Sequence, residues 1–186
     1  RFKVTANAGG PVGIYNLNLT LATSSFATGG GVSSVKVNVY SDSAYSQAVS
    51  GTYGDATSQF GSTNGDTGGT TLVNAPTLNF IAVTNALQVP AGQTYYFEVT
   101  GTVASTQTGT SVSTTLNGDA AYIVTANLGS GIFTSTTTGA LVDDNDDFVW
   151  SDNATTTTNI TNDSNWTNGY GVAGLPSGGF TMTRSN

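Results

Sequence analysis

The chain has 186 residues, of which 37% are hydrophobic and only 8% are charged, and its formal net charge is −7. Its four cations cannot form the basic patch that nucleic acids or anionic membrane surfaces need, so both are excluded as partners. The chain contains no cysteine and no histidine, which excludes disulfides, thiol or imidazole catalysis and the usual ligands of zinc. No apolar run approaches the roughly 20 residues of a membrane span, so we expect no membrane insertion.

Apolar residues recur at alternate positions in short segments along most of the chain, which is the pattern of β-strands with one buried face. In chain order these segments are Phe2–Val4, Tyr15–Leu21, Val35–Val39, Leu78–Ala82, Tyr95–Val103, Val112–Leu116, Phe148–Trp150 and Phe180–Arg184. Between them, Asn64-Gly65, Pro90–Gly92, Asn117-Gly118 and Asn168-Gly169 have the composition of tight turns, and the three Asn-Gly pairs predict hairpins with positive φ. No segment has the period of an amphipathic helix.

Many short strands joined by tight turns predict an all-β fold, specifically an Ig-like, Greek-key β-sandwich. Residues 1–186 are predicted to form a single domain with an elaborated C-terminal portion. The predicted strands become sparser towards the C-terminus, so a small separate subdomain from about residue 127 is the alternative.

Catalysis would have to rest on carboxylates, because the other common catalytic groups are missing. Glu98 is the only glutamate, and it alternates with the apolar Phe97 and Val99, which places it on the outward face of its predicted strand. A general acid needs a buried carboxyl group with a shifted pKa, which an outward Glu98 would not have. We therefore predict that the protein is not an enzyme.

The sharpest local feature is an acidic run at residues 143–147. Asp143, Asn145 and Asp147 fall at positions one, three and five of a calcium-binding loop, and hard oxygen ligands suit Ca²⁺. The sixth position is Phe148 rather than Gly and the twelfth is Ala154 rather than Glu, so the segment is not an EF-hand. A Ca²⁺ site and a solvated acidic turn both remain open, and Ca²⁺ is the one cofactor that the sequence suggests.

Two other sets of side chains have a chemical interpretation. Lys3, Lys36 and Glu98 are the residue types of an intramolecular isopeptide bond, but their alternation with apolar neighbours predicts that they point outward, where a surface ion pair is the simpler interpretation. The second set consists of five aromatic residues, for which we hypothesise that the rings stack on the sugar rings of a glycan, with packing inside the sandwich as the alternative. They are Tyr40, Tyr45, Tyr53, Trp166 and Tyr170.

Three stretches together resemble a known group of proteins: residues 2–6, residues 87–103 (LQVPAGQTYYFEVTGTV) and residues 148–176, which begin FVWSDNAT and end WTNGYGVAGLP. They are similar to uncharacterised cell-surface proteins of ultra-small candidate-phyla bacteria, of the surface-layer or pilus-like kind. In those proteins a similar module often lies at the C-terminal end of a long exported chain. The resemblance implies an extracellular location and a structural or adhesive role, and it implies no activity.

The N-terminal strand, formed by Phe2, Lys3, Val4, Thr5 and Ala6, is the candidate assembly element. Terminal strands can complete a neighbour's sheet and so remove an unpaired edge. We therefore predict a non-catalytic structural subunit of an extracellular filament or surface layer, whose partners are copies of itself. The alternatives are that the terminal strands pair within their own domain, and that the chain is a carbohydrate-binding adhesin module, with or without a dependence on calcium.

Overall fold

In a computed structural model, residues 1–51, 58–64, 72, 77–82, 85–122, 147–153 and 166–185 are described. Eleven strands lie in these ranges: β1 (Phe2–Thr5), β2 (Val12–Ser24), β3 (Gly31–Tyr40), β4 (Ser62–Asn64), β5 (Thr77–Ile81), β6 (Leu87–Val89), β7 (Thr94–Ala104), β8 (Ser111–Leu116), β9 (Phe148–Ser151), β10 (Trp166–Thr167) and β11 (Phe180–Ser185). The all-β fold is confirmed, and this part of the chain holds no helix that could cross a membrane.

Three antiparallel strands form the smaller sheet, sheet A, in the order β1-β7-β3. Its central strand is β7, on which Phe97 lies opposite Phe2 of β1 on one side and opposite Val39 of β3 on the other. Because neighbouring residues on a strand face opposite sides, these three residues share the inner face of the sheet, while Tyr96 and Glu98 face outward.

The larger sheet, sheet B, is built around the 13-residue strand β2. Along one edge, β2 pairs first with β6 and farther on with β5, and along the other edge it pairs first with β9 and then with β8. The two sets of partners must lie on opposite edges, because they pair with overlapping residues of β2. Strands β10, β11 and β4 extend the sheet beyond β9, β8 and β5 respectively. The C-terminal strands β9, β10 and β11 are thus hydrogen-bonded into the same sheet as the N-terminal β2.

The inner faces of the two sheets pack together to form the core, as the alternating pattern predicts. The buried side chains between the sheets include Leu17, Leu19 and Leu21 of β2, Val35, Val37 and Val39 of β3, Phe80 of β5 and Phe97 of β7. The prediction that Val103 lies on the buried face with the other apolar residues of its stripe is wrong. Val103 is 47% exposed, because β7 runs beyond the core at its C-terminal end.

The predicted turns have different outcomes. Gln93 donates a backbone hydrogen bond to Pro90, which closes the predicted turn between β6 and β7. Gly118 and Gly169, however, do not have the positive φ predicted for hairpins, and Gly65 lies outside the described residues. At Gly169 the need for glycine is steric, because an added Cβ would lie 2.8 Å from the Asp119 carboxylate and 3.0 Å from Phe148.

Candidate assembly site

The N-terminal strand β1 lies in its own domain, paired with β7. The Phe2 ring stacks on Phe97 with their centroids 4.7 Å apart and their planes 8° from parallel. Phe2 and Val4 are half-buried against the core, whereas Lys3 and Thr5 are exposed on the outer face. Pairing of both terminal strands within the chain, the alternative considered from the sequence, is therefore the arrangement of this structure.

The other edge of β1 carries backbone groups that point away from the sheet. Ala6 donates its N–H to the Gln93 carbonyl over 3.0 Å, so Ala6 belongs to a hydrogen-bonded antiparallel pair. Hydrogen-bonded and non-hydrogen-bonded pairs alternate along an antiparallel ladder, which places the N–H and C=O groups of Lys3 and Thr5 on the far side from β7. Within the described ranges no strand pairs with this edge of β1.

The opposite edge of sheet A is covered. Along β3, Val39 donates to the Ser58 carbonyl over 2.7 Å, and Val37 accepts from the Phe60 N–H over 2.7 Å. Farther along the same edge, Val32 exchanges two backbone hydrogen bonds with Leu72. The two edges of sheet A therefore differ, and β1 presents the bare one among the described residues.

A groove of about 1390 Å³ runs beside the bare edge of β1. It lies between the two sheets, where sheet B extends past the end of sheet A. Apolar side chains from both sheets line it: Phe2 and Val4 of β1, Leu116 of β8, Phe148 and Trp150 of β9, and Phe180 of β11. Because its lining combines residues of β1 with residues of β8, β9 and β11, the groove borders β1 on the side of these strands of sheet B.

Strand β11 forms the far wall of this groove. Among the described strands it pairs with β8 alone, where Phe180 lies opposite Leu116, and all six of its residues are exposed. Phe180 and Met182 are 48% and 52% exposed even though they lie on the same side of sheet B as the core. A strand added beside β1 would cover Phe180 and the neighbouring wall of the groove.

The outer face of sheet A carries an organised polar cluster. The Arg1 guanidinium lies 4.0 Å from the centroid of the Tyr45 ring and donates to the Glu98 carboxylate over 2.9 Å. The hydrogen bond to Glu98 raises the pKa of Arg1. The Tyr45 ring in turn contacts Tyr40 and Tyr96 edge to face, with centroids 5.6 and 6.0 Å away.

The loop that carries Tyr45 is held by Asp42. Its carboxylate accepts hydrogen bonds from the backbone N–H groups of Gln47, Ser46 and Ala44, at 2.7, 2.9 and 3.2 Å. These hydrogen bonds lower the pKa of Asp42, and the bond from Gln47 has the largest effect. The fixed loop places Tyr45 over the sheet with a φ of 58°, a left-handed conformation that is uncommon outside glycine.

The isopeptide set is not assembled. Lys3 and Lys36 are exposed on the outer face of sheet A, as their alternation predicts, and Glu98 forms its ion pair with Arg1. An isopeptide bond needs its lysine, carboxyl and amide groups buried together, and these positions are on the surface.

The proposed sugar-stacking residues do not form one platform. Trp166 follows the packing alternative and not the glycan hypothesis: it is 1% exposed and packs against Tyr15 with ring centroids 5.8 Å apart. Tyr53 lies outside the described residues. Tyr170 is 39% exposed and pairs edge to face with Tyr122, 66% exposed, at 4.5 Å beside the groove.

Of the three candidate calcium ligands, only Asp147 lies within the described residues, and Asp143 and Asn145 lie outside them. The Asp147 carboxylate accepts a hydrogen bond from the Asn18 amide, and its backbone N–H donates to Asp119 over 2.8 Å. The described ranges contain no group of three or more carboxylates that could hold a metal ion. Calcium binding by the acidic run stays a prediction.

Comparison with protein families, with curated proteins and with solved structures gives no match to this chain. Its function is therefore inferred from its own residues and geometry.

Proposed function

We propose that this chain is a non-catalytic structural subunit of an extracellular filament or surface layer. Copies associate by β-strand addition at the N-terminal strand β1. The observation that carries this proposal is the outer edge of β1, with which no strand of the described residues pairs, beside an apolar groove.

Two sources of free energy favour a strand in this position. An added strand would form backbone hydrogen bonds with Lys3 and Thr5, whose groups point out of the sheet, and unpaired edges of this kind are ready templates for another chain. Its alternate side chains would enter the groove and cover Phe180. The groove volume of about 1390 Å³ exceeds the roughly 300–1,000 Å³ of small-molecule pockets, which favours a peptide strand as the occupant.

Strand β1 can serve assembly in two ways. In edge addition it stays on its own β7 and accepts a strand from a neighbour. In strand exchange, β1 leaves its domain and pairs with β7 of a neighbour in the same register, so Phe2 would stack on the neighbour's Phe97. In both cases residues Phe2–Ala6 lie at the contact between subunits.

Replacing the Thr5 amide separates these two modes. Thr5→Pro removes an N–H that points away from β7, a position at which an edge strand tolerates proline. We expect Thr5→Pro to fold but to form no polymer at concentrations where the unmodified chain polymerises, as seen by electron microscopy and sedimentation. Thr5→Val is the matched control, because it also removes the hydroxyl bonded to Thr94 but keeps the amide, and it should still polymerise.

Deleting Arg1–Asn7 should prevent assembly in both modes, because it removes the accepting edge and the exchanging strand together. If Thr5→Pro forms polymers and the deletion variant forms none, subunits associate by strand exchange rather than by edge addition. Polymers from the deletion, or an unmodified chain that stays monomeric at high concentration, would contradict the proposal.

Carbohydrate binding by an adhesin module is a second candidate, favoured by the exposed Tyr122–Tyr170 pair at the groove. If these rings stack on sugars, changing both to Ala should weaken glycan binding roughly tenfold, since aromatic contacts contribute about 0.5–1.5 kcal/mol each. Changing both to Phe keeps the rings and should retain most of the binding. Glycan-array and calorimetric measurements that show no binding, or equal binding by the Ala and Phe variants, would exclude this site.

A further inference from the structure

Strand β1 is attached to the rest of its domain in a way that lets it separate. Among the described strands it pairs with β7 alone, in sheet A, whereas the next strand, β2, lies in sheet B. The link between β1 and β2, residues 6–11, is exposed at Asn7, Ala8, Gly9 and Pro11. Strand β1 can therefore leave β7 without breaking any pairing of β2, and exchange of such an element between copies is a low-cost route to association.

Arg1, directly before β1, fastens this strand to sheet A. Its Nε donates to the Glu98 carboxylate over 2.9 Å, and its guanidinium carbon lies 4.0 Å from the centroid of the Tyr45 ring. An ion pair and a cation–π contact thus act on one guanidinium group. Because the Arg1 side chain is 58% exposed, we expect the two contacts together to favour the bound position by roughly tenfold. We call Tyr45 and Glu98 the arginine site.

The arginine site is held in shape by parts of the chain other than β1. Glu98 lies on β7, the central strand of sheet A. Tyr45 lies on the loop that the Asp42 carboxylate fixes through three backbone N–H groups. The Tyr45 ring also rests edge to face against Tyr40 of β3 and Tyr96 of β7. The site would therefore keep its geometry if its own β1 were replaced by β1 of a second copy.

We propose that Arg1 determines whether β1 pairs with its own β7 or with β7 of a second copy. This inference rests on the proposed self-assembly and names the residue that selects between its two modes. Bound to its own arginine site, Arg1 keeps β1 in place, so that the outer edge of β1 accepts a strand. Bound to the site of a second copy, Arg1 would fix an exchanged β1 there, because the register that sets Phe2 opposite Phe97 brings Arg1 beside Glu98 in either case.

Charge reversal in two separate chains can move this contact from within one chain to between two. Arg1→Glu places two carboxylates together within its own chain, and Glu98→Arg places two guanidinium groups together within its own. When the two variants are mixed, exchange of β1 in either direction sets opposite charges against each other. Thr5→Pro is added to both variants, because it blocks edge addition and leaves exchange as the route to association.

The equimolar mixture should associate at a concentration about tenfold lower than either variant alone, as measured by sedimentation. Each variant alone gains nothing from exchange, because the like charges that meet within one chain meet again between two copies. The matched control combines Arg1→Glu and Glu98→Arg in one chain with Thr5→Pro. Opposite charges then lie within each chain, and this variant should stay monomeric, as Thr5→Pro alone should.

The outcomes separate this inference from the proposed function. A mixture that associates no better than its components, or no better than the control variant, would overturn the role of Arg1 in partner choice. Strand addition at β1 would still stand in that case if the unmodified chain polymerises and Thr5→Pro does not. An unmodified chain that stays monomeric contradicts the proposed function, whereas association of the mixture but not of its components would uphold the inference about Arg1.

Discussion

Asp119→Ala should lower the free energy of unfolding by about 3–5 kcal/mol. The Asp119 side chain is 2% exposed and accepts hydrogen bonds from three backbone N–H groups, those of Asp147, Phe148 and Gly169, at 2.8, 3.3 and 2.8 Å. Each buried donor left without a partner costs about 1–3 kcal/mol. The carboxylate thereby joins the end of β8 to the start of β9 and to the turn after β10, so its loss should be felt across sheet B.

Urea unfolding measured by tryptophan fluorescence would test this expectation. Asp119→Asn should lower the free energy of unfolding by less, about 2 kcal/mol. Its amide oxygen still accepts hydrogen bonds, whereas its NH₂ group faces one of the backbone donors and cannot accept. Ser43→Ala changes an exposed residue outside sheet B and serves as the control, with an expected change of under about 0.5 kcal/mol. Equal stabilities for Asp119→Ala and Ser43→Ala would show that the three bonds contribute nothing to folding.

Trp166→Ala should destabilise the fold by a similar amount, about 3–5 kcal/mol, the usual cost of deleting a buried tryptophan side chain. Trp166 lies opposite Ser151, which in turn lies opposite Gly13 on β2, so its ring occupies the side of sheet B that faces away from sheet A. The absence of a side chain at Gly13 leaves room for this ring, since an added Cβ there would lie 3.3 Å from it.

The same substitution tests the glycan hypothesis for Trp166. Tyr170→Ala removes a ring that is 39% exposed and should cost less than Trp166→Ala, because less buried area is lost. Trp166→Phe should also cost less than Trp166→Ala, because part of the buried area is kept. Thermal unfolding of the three variants would give the comparison. A Trp166→Ala protein of unchanged stability that has lost glycan binding would return this residue to a surface role.

The strands of the core could be predicted from the sequence because a strand with one buried face has apolar residues at alternate positions. β2, β3 and β8 contain the whole apolar stripes that predicted them, and β5 contains its stripe except for Ala82, which follows the last residue of the strand. The two-residue strand β10 and the three-residue strand β4 were not predicted, because segments this short contain no complete period.

The second buried surface of sheet B could not be predicted. Asn16 and Asn18 on β2 and Asn79 on β5 are all buried, at positions where alternation predicts exposure. Their burial depends on which segments cover that side of the sheet, and polar residues do not signal this. The sequence left the choice between glycan stacking and packing open for Trp166 for the same reason, since a lone tryptophan in a polar segment has no periodic neighbours.

The candidate assembly site was predicted only in part. The composition of residues 2–6 identified an edge-capable strand, but pairing with β7 and the absence of a described partner on its other side follow from tertiary arrangement. The groove combines residues as distant as Val4 and Phe180, and no local pattern links them. Asp119 and Tyr122 carry no signal at all, since an isolated Asp or Tyr in a polar segment predicts neither burial nor exposure.

The position of the lysines has a practical consequence for handling the protein. Lys3 and Lys36 are the only lysine side chains in the chain, and both are exposed on the outer surface of sheet A. Amine-reactive resins and dyes that couple through lysine would therefore attach every molecule by the same surface. Immobilisation that is random for most proteins would be oriented here, with sheet B directed towards the solvent.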